Sequence, residues 1–307
     1  MNELEISIKK TLSYFALFDY PLTKEELFFN LWQAPSVNHN EFLDYLANEN
    51  PLWKNKQGFY FLPDQEKNIQ TRNERVFIND YKMSIARKAV KKLRFVPFIK
   101  AVFVCNSVGL GNATEKSDID FFIVAEKNKV WTVRAFSNLI LRFLGLRVFG
   151  KNKINKICLS FFVDADSLDI EKFKIRKDDI HYIYWLNQMI PVYDPNNFYY
   201  KFLEKNSWTK QWLPNIQKNI LCDYLLLVSD NWPSKLWRKF WQTAWSGGYG
   251  QMLEKQFADV QKLKLKKYLI GVDEANKGVS LEASVIKLHK EDSRQACYNK
   301  WINKIIF

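Results

Sequence analysis

Apolar positions near the start of the chain recur at helical spacing. Leu4, Ile8, Leu12, Phe15 and Phe18 are three or four residues apart, one face of a helix that Pro21 ends. Thr23 followed by Glu26 predicts a second helix, Lys24 to Trp32, because a hydroxyl and a carboxylate at that spacing cap each other's backbone N–H. A third helix from about Asn40 to Ala47 turns Phe42, Leu43 and Leu46 inward. The runs Leu52-Trp53-Lys54 and Phe59 to Leu62 then read as strands of a hairpin joined by Asn55-Lys56-Gln57-Gly58.

Three small helices and a hairpin are the element order of a winged helix, predicted over residues 1–65. Glu66 to Phe95, free of Pro and Gly, reads as a long helix linking this unit to the next. Its basic residues, Arg72, Arg75, Lys82, Arg87, Lys88, Lys91, Lys92 and Arg94, form either a solvated face or a polyanion contact. Strands are expected at Ala101 to Asn106, Asp118 to Val124 and Ile157 to Val163, with an amphipathic helix at about Lys129 to Leu144. A Lys-rich loop (Lys151, Lys153, Lys156) precedes the third strand, and Asp178 to Gln188 reads as a helix before a short edge strand, Pro191 to Asp194. Residues 196–307 alternate helical patterns with breaks at Pro214, Pro233, Gly247-Gly248 and Gly271, and read as an all-helical module. Its tryptophans, among them Trp208, Trp212, Trp232, Trp237, Trp241, Trp245 and Trp301, fit a core better than a base-stacking platform.

Composition narrows the partners. With 307 residues and 47% apolar content the chain can bury a sizeable core in two or three domains. A net charge of +13 calls for a polyanionic partner such as RNA or DNA, although a Lys- and Asn-rich composition alone produces the same balance. Cys105, Cys158, Cys222 and Cys297 lie far apart with no C-x-x-C pair, as expected of reduced thiols. The start lacks an apolar leader, and the most apolar run, Ala135 to Leu146, is shorter than the roughly 20 residues a spanning helix needs. A cytoplasmic protein with no membrane partner is expected.

The chemistry concentrates between Val102 and Val124. Asp118 and Asp120 open a strand two residues apart, so both carboxylates face one side. Like charges that close favour a hard divalent cation, Mg²⁺ or Mn²⁺, between them. Eleven residues before Asp118, Ser107 sits in the small-residue turn Asn106-Ser107-Val108-Gly109, which can aim N–H groups at phosphate oxygens. By chance, D-x-D also begins strands that bind nothing. Farther on, His289, Asp292 and Arg294 form H-x-x-D-x-R, read on a C-terminal helix either as a salt-bridged exposed face or as a cleft contact. His39 and His181 are isolated.

The segment Val102 to Val124 resembles the signature of the polymerase-beta-like nucleotidyltransferase superfamily, a G-S turn followed by D-x-D on the next strand. The resemblance implies an α+β chain: N-terminal winged helix, a central nucleotidyltransferase-fold mixed sheet flanked by helices (66–195), and a C-terminal helical domain (196–307). It implies an NTP substrate held by Asn106, Ser107 and Gly109, and catalytic metal ions on Asp118 and Asp120. A hydroxyl on RNA, protein or a small molecule would accept the nucleotidyl group. A catalytically degenerate regulator that binds nucleic acid or a protein partner is the competing expectation. Looser likenesses at Leu22 to Glu26, Gly58 to Pro63, Lys156 to Ser160 and Leu288 to Arg294 match a bacterial group with the same domain order.

Two residues depart from that signature. Asn106 stands where the Gly is expected, and the third strand offers no carboxylate. Strict alternation puts Cys158, Ser160 and Phe162 on one face of that strand, with Ser160 as the site-facing polar position. Asp164 has the right parity but lies roughly 13 Å farther along. Against direct DNA reading, the third helix carries Glu41 and Asp44 and no basic residue.

Overall fold

The computed structural model describes residues 1–148, 150, 152–217, 226–273 and 276–306. Lys151 and Cys222 lie outside the described residues.

Capping decides where the first helices begin. In α1 (Glu3–Phe15) the Asn2 side chain accepts from the Glu5 N–H while the Glu5 carboxylate takes the Asn2 N–H. α2 (Lys24–Phe29) has the predicted reciprocal bonds between Thr23 and Glu26, at 3.2 and 2.9 Å. It ends before the expected Trp32, which leaves the helix to stack on Trp212. Asn38 and Glu41 cap α3 (His39–Leu46) in the same way. The hairpin strands are β2 (Lys54–Lys56) and β3 (Phe59–Phe61). Gln57 and Gly58 both take positive φ, 54° and 78°, so the loop is a two-residue type I′ turn and β2 starts two residues later than expected. β3 also pairs with β1 (Leu22–Thr23), completing a three-stranded sheet in the order β1-β3-β2.

The long helix α4 (Lys67–Leu93) is not simply a solvated basic face. Arg72 makes two 2.7 Å bonds to Glu26, and Arg75 donates to the Phe18 carbonyl and to Asn112. Lys82 is fully buried and donates to the Glu115 and Ser117 carbonyls and to Asn155. These cations hold the first unit and the loop before Asp118 in place. Lys88, Lys91 and Lys92 remain exposed.

A six-stranded mixed sheet follows, in the order β7-β4-β5-β6-β9-β8. Its strands are β4 (Ile99–Cys105), β5 (Ile119–Ala125), β6 (Ile157–Asp164), β7 (Ile190–Tyr193), β8 (Val279–Leu281) and β9 (Val285–Leu288). Only β5 and β6 are parallel, joined by the crossover helix α6 (Val130–Phe143); the short α5 (Asn106–Gly109) follows β4. Val102, Val104, Phe121, Ile123 and Leu159 face α4 and α6 on one side of the sheet. Phe103, Phe122 and Phe161 pack against α7 (Ile180–Asn187) and α8 (Phe198–Lys205) on the other. Burial on both faces explains why these strands read as unbroken apolar runs. β7 lies at the edge as expected, where Pro191 costs no ladder bond.

The all-helical expectation for residues 196–307 is corrected. Helices α9 (Trp232–Ala244), α10 (Gly247–Tyr268) and α11 (Arg294–Ile306) are present, but β8 and β9 add two strands to the central sheet beside β6. Strands of three and four residues are too short to register a period of two, and only pairing defines them, β9 with β6 and β8 with β9. α11 returns to pack on α1, with Trp301 donating to the Lys10 carbonyl at 2.9 Å. No described helix is long and apolar enough to cross a membrane.

Candidate metal centre and its cavity

Four adjacent strands deliver polar side chains to one end of the sheet. β4 ends at Cys105, and Asn106 turns the chain with φ 57°, the left-handed region in which Asn is among the few tolerated residues besides Gly. Asn106 thus supplies the conformation a glycine would, and its side chain adds a hydrogen bond to the Asp120 carboxylate. Ser107 follows, half-buried. Gly109 plays another part: a Cβ there would lie 3.0 Å from both the Val104 and Gln188 carbonyl oxygens, so its lack of a side chain lets the turn pack down on β4. It does not line the neighbouring cavity.

Asp118 and Asp120 do face the same corner, and the third member is Cys158 rather than Ser160. Asp120 lies opposite Cys105 on one side and Cys158 on the other. Ligand atoms of Asp118, Asp120 and Cys158 all fall within 4.8 Å of one another. The register then slips. Asp120 pairs with Cys158 but Phe122 with Phe161, so β6 holds one extra residue and bulges. The bulge overturns strict alternation: Phe162 joins Ile157 and Leu159 in one core, while Phe161 lies in the other. Ser160 is left buried, with its Oγ lacking a hydrogen-bond partner among the described residues. Asp164 caps a turn at the far end of β6, accepting from the Asp166 N–H at 3.1 Å.

The corner is electrostatically tense. Burial pushes the Asp120 carboxyl well above the usual carboxylate range, and Asp118 adds to this; hydrogen bonds from Asn106 and Cys158 and the charge of Arg147 oppose it. Burial, with both aspartates alongside, likewise raises the Cys158 thiol. Arg147 was not singled out from the sequence. It arrives through a parallel bridge with Ile157 and is held by Asn138 Oδ1 at 2.8 Å. Two carboxylates suit Mg²⁺ or Mn²⁺, but a thiol is a poor partner for Mg²⁺ and cannot supply the third hard ligand of a two-ion site. The donor set therefore fits one hard cation well, and a softer ion such as Zn²⁺ through all three groups.

No family model, curated protein or solved structure matches the chain.

A cavity of about 270 Å³ opens beside the turn, lined by Asn106 and Ser107 on one side and by Lys287, His289, Asp292 and Arg294 on the other. The H-x-x-D-x-R group therefore sits at this cleft, but not along one helix. His289 follows β9, Asp292 lies in the connection, and Arg294 opens α11. Arg294 is buried between Asp179 at 2.9 Å and Asp292 at 2.5 Å. His181, isolated in the sequence, also lines the cavity, its Nδ1 3.0 Å from the Tyr14 hydroxyl. His39 packs edge-on against Phe28. Among the tryptophans, Trp212 and Trp301 join Trp32 in the core of the first unit, while Trp232 and Trp237 are exposed on α9.

Proposed function

We propose that the chain is a divalent-cation-dependent nucleotidyltransferase that moves a nucleotidyl group from an NTP to a hydroxyl on RNA, protein or a small molecule, with pyrophosphate leaving and the hydroxyl proton passing to water. The observation that carries this reading is the meeting of Asp118, Asp120 and the Asn106–Ser107 turn at one end of a mixed sheet, with a cavity beside them. In the mechanism, Asp118 and Asp120 would hold the cation, which would supply positive charge to neutralise the phosphates. Asn106 orients Asp120, and the Ser107 hydroxyl donates to a phosphate oxygen. Arg147 supplies a fixed positive charge that favours the ionised Asp120.

Cys158 occupies the place of a third carboxylate, and burial keeps its proton on sulfur. It is no base for the acceptor hydroxyl, which favours the second reading, a catalytically degenerate protein that binds nucleotide or nucleic acid. The first 65 residues have the element order of a winged helix, but α3 presents Glu41 and Asp44, so a protein contact suits it better than a DNA groove. Lys88, Lys91 and Lys92 on α4 are exposed cations suited to a polyanion.

Incubation with each labelled NTP, Mg²⁺ or Mn²⁺ and a cell extract should give label transfer that falls to background in Asp118→Ala/Asp120→Ala. Transfer no greater than in the double variant would sink the enzyme reading and leave the degenerate one. RNA or DNA affinity should fall steeply with added salt, and a flat response would count against phosphate contacts.

A further inference from the structure

We infer that the cavity between the Asn106–Ser107 turn and the β9–α11 connection is an oxyanion pocket with Lys287 as its charge partner, and that it takes the terminal phosphate groups of the nucleotide. The phosphate assignment rests on the nucleotidyltransferase reading, whereas the anion chemistry follows from the cavity itself.

Lys287 lies on β9 with 3% of its surface exposed. Its ammonium donates to the Lys277 carbonyl at 2.9 Å and faces the Phe173, Tyr182 and Phe161 rings at 5.2 to 5.8 Å. The nearby acids do not neutralise it directly: both Asp179 and Asp292 pair with Arg294, whose own charge repels the lysine. Aromatic faces offset only part of the cost of burying an ammonium. Burial, reinforced by Arg294, accordingly lowers the Lys287 pKa to about 7. Two other shielded cations are better satisfied: Arg238 sits on Asp230 at 2.6 Å, and Lys82 has three oxygen partners, the Glu115 and Ser117 carbonyls and Asn155. Lys287 has one oxygen partner, the Lys277 carbonyl, and no ion pair among the described residues.

The remaining wall adds donors, beside the exposed carboxylate of Glu291. Gln188 has a buried Nε2 with no partner among the described residues, and Ser107 adds a hydroxyl. The Asn112 carbonyl is occupied by Arg75. Burial, then Lys287, lower His289 to about 4, so it stands neutral at pH 7 and adds no charge of its own. A ligand here must bring acceptor oxygens and negative charge. Because β9 runs antiparallel to β6 with Lys287 opposite Phe161, the chain beyond Lys287 runs toward the end of β6 that holds Cys158, placing the pocket at the metal corner's end of the sheet. At about 270 Å³ it falls just below the roughly 300–1,000 Å³ of pockets that hold whole ligands. A phosphate chain is the part of an NTP that fits.

The test is calorimetric titration of metal-free protein with inorganic tripolyphosphate. Wild type should bind, Lys287→Met should bind at least tenfold more weakly, and Lys287→Arg should retain most of the affinity. Asp118→Asn/Asp120→Asn should bind at least as well as wild type, since it removes repelling charge. Without ligand, Lys287→Met should also melt higher than wild type, because an apolar chain of similar length replaces an unpaired buried charge. A lower melting temperature would mark Lys287 as a structural cation and overturn the proposal, as would equal binding by Lys287→Met or no binding by wild type. If tripolyphosphate binds while no label is transferred, the pocket stands and the nucleotidyltransferase reading fails.

Discussion

The knot around Arg294 and the corner at Asp118, Asp120 and Cys158 are both shielded ionic clusters at one end of the same sheet, yet their charges are balanced in opposite ways. Arg294 sits between two carboxylates and also donates to the Phe173 carbonyl at 2.8 Å, so donor and acceptors satisfy one another. The corner sets two carboxylates together with a thiol, and the cations that influence it are committed elsewhere, Arg147 to Asn138 and the Ile157 carbonyl and Lys82 to the Ser117 carbonyl and Asn155. A self-satisfied cluster ties elements together, here α11 to the segment before α7. A cluster of like charge destabilises the empty protein and becomes favourable only when a cation arrives from outside. The contrast separates a structural ion network from a candidate binding site.

Breaking the knot should have the largest effect. Arg294→Ala strands Asp179 in the core and should cost about 3–5 kcal/mol in urea unfolding. A loss under about 1 kcal/mol would erase the contrast. Saturating Mn²⁺ should stabilise wild type by about 2.7 kcal/mol at a hundredfold excess over Kd, and Asp120→Asn should abolish that gain. The pH dependence distinguishes the two clusters further. The Asp120 pKa is raised on folding, so its contribution to stability is fully present below the unfolded carboxylate pKa and is lost as pH rises through the folded value. Metal-free Asp120→Asn should therefore be more stable than wild type at pH 7, by roughly 1–2 kcal/mol, and the advantage should vanish below about pH 4. Asp292 behaves oppositely: although burial opposes it, hydrogen bonds from Arg294 hold its pKa down, so its contribution is present at neutral pH and is lost on acidification through that lowered value. The smallest change should come from Cys158→Asp, which completes a hard ligand set. It should tighten Mn²⁺ about tenfold, near 1.4 kcal/mol, while lowering metal-free stability. Unchanged Mn²⁺ affinity would remove residue 158 from the site.

How much of the corner was readable depended on distance along the chain. Asp118 and Asp120 were placed on one face because a strand's period holds over neighbouring residues. Cys158 and Ser160 share a face in that alternation, and parity alone does not say which of them lies level with Asp120. The β6 bulge then moved Phe161 and Phe162 to opposite faces from those expected, and a one-residue slip has no local signature in an apolar run. Arg147 carried no signal, since it reaches the corner only through its bridge to Ile157.

From the sequence alone came the capped start of α2, the long uninterrupted run of α4, the strands β4, β5 and β6, the edge strand β7, and the shared corner of Asp118 and Asp120. These depend on hydrogen bonds and side-chain periods that close within a few residues. Tertiary structure alone decided that β8 and β9 extend the sheet, that Cys158 completes the corner, and that Lys287 faces the Ser107 turn. It also joined Arg294 to Asp179, 115 residues away. Such contacts are set by strand register and shared burial between distant segments, and no local spacing encodes which segments will meet.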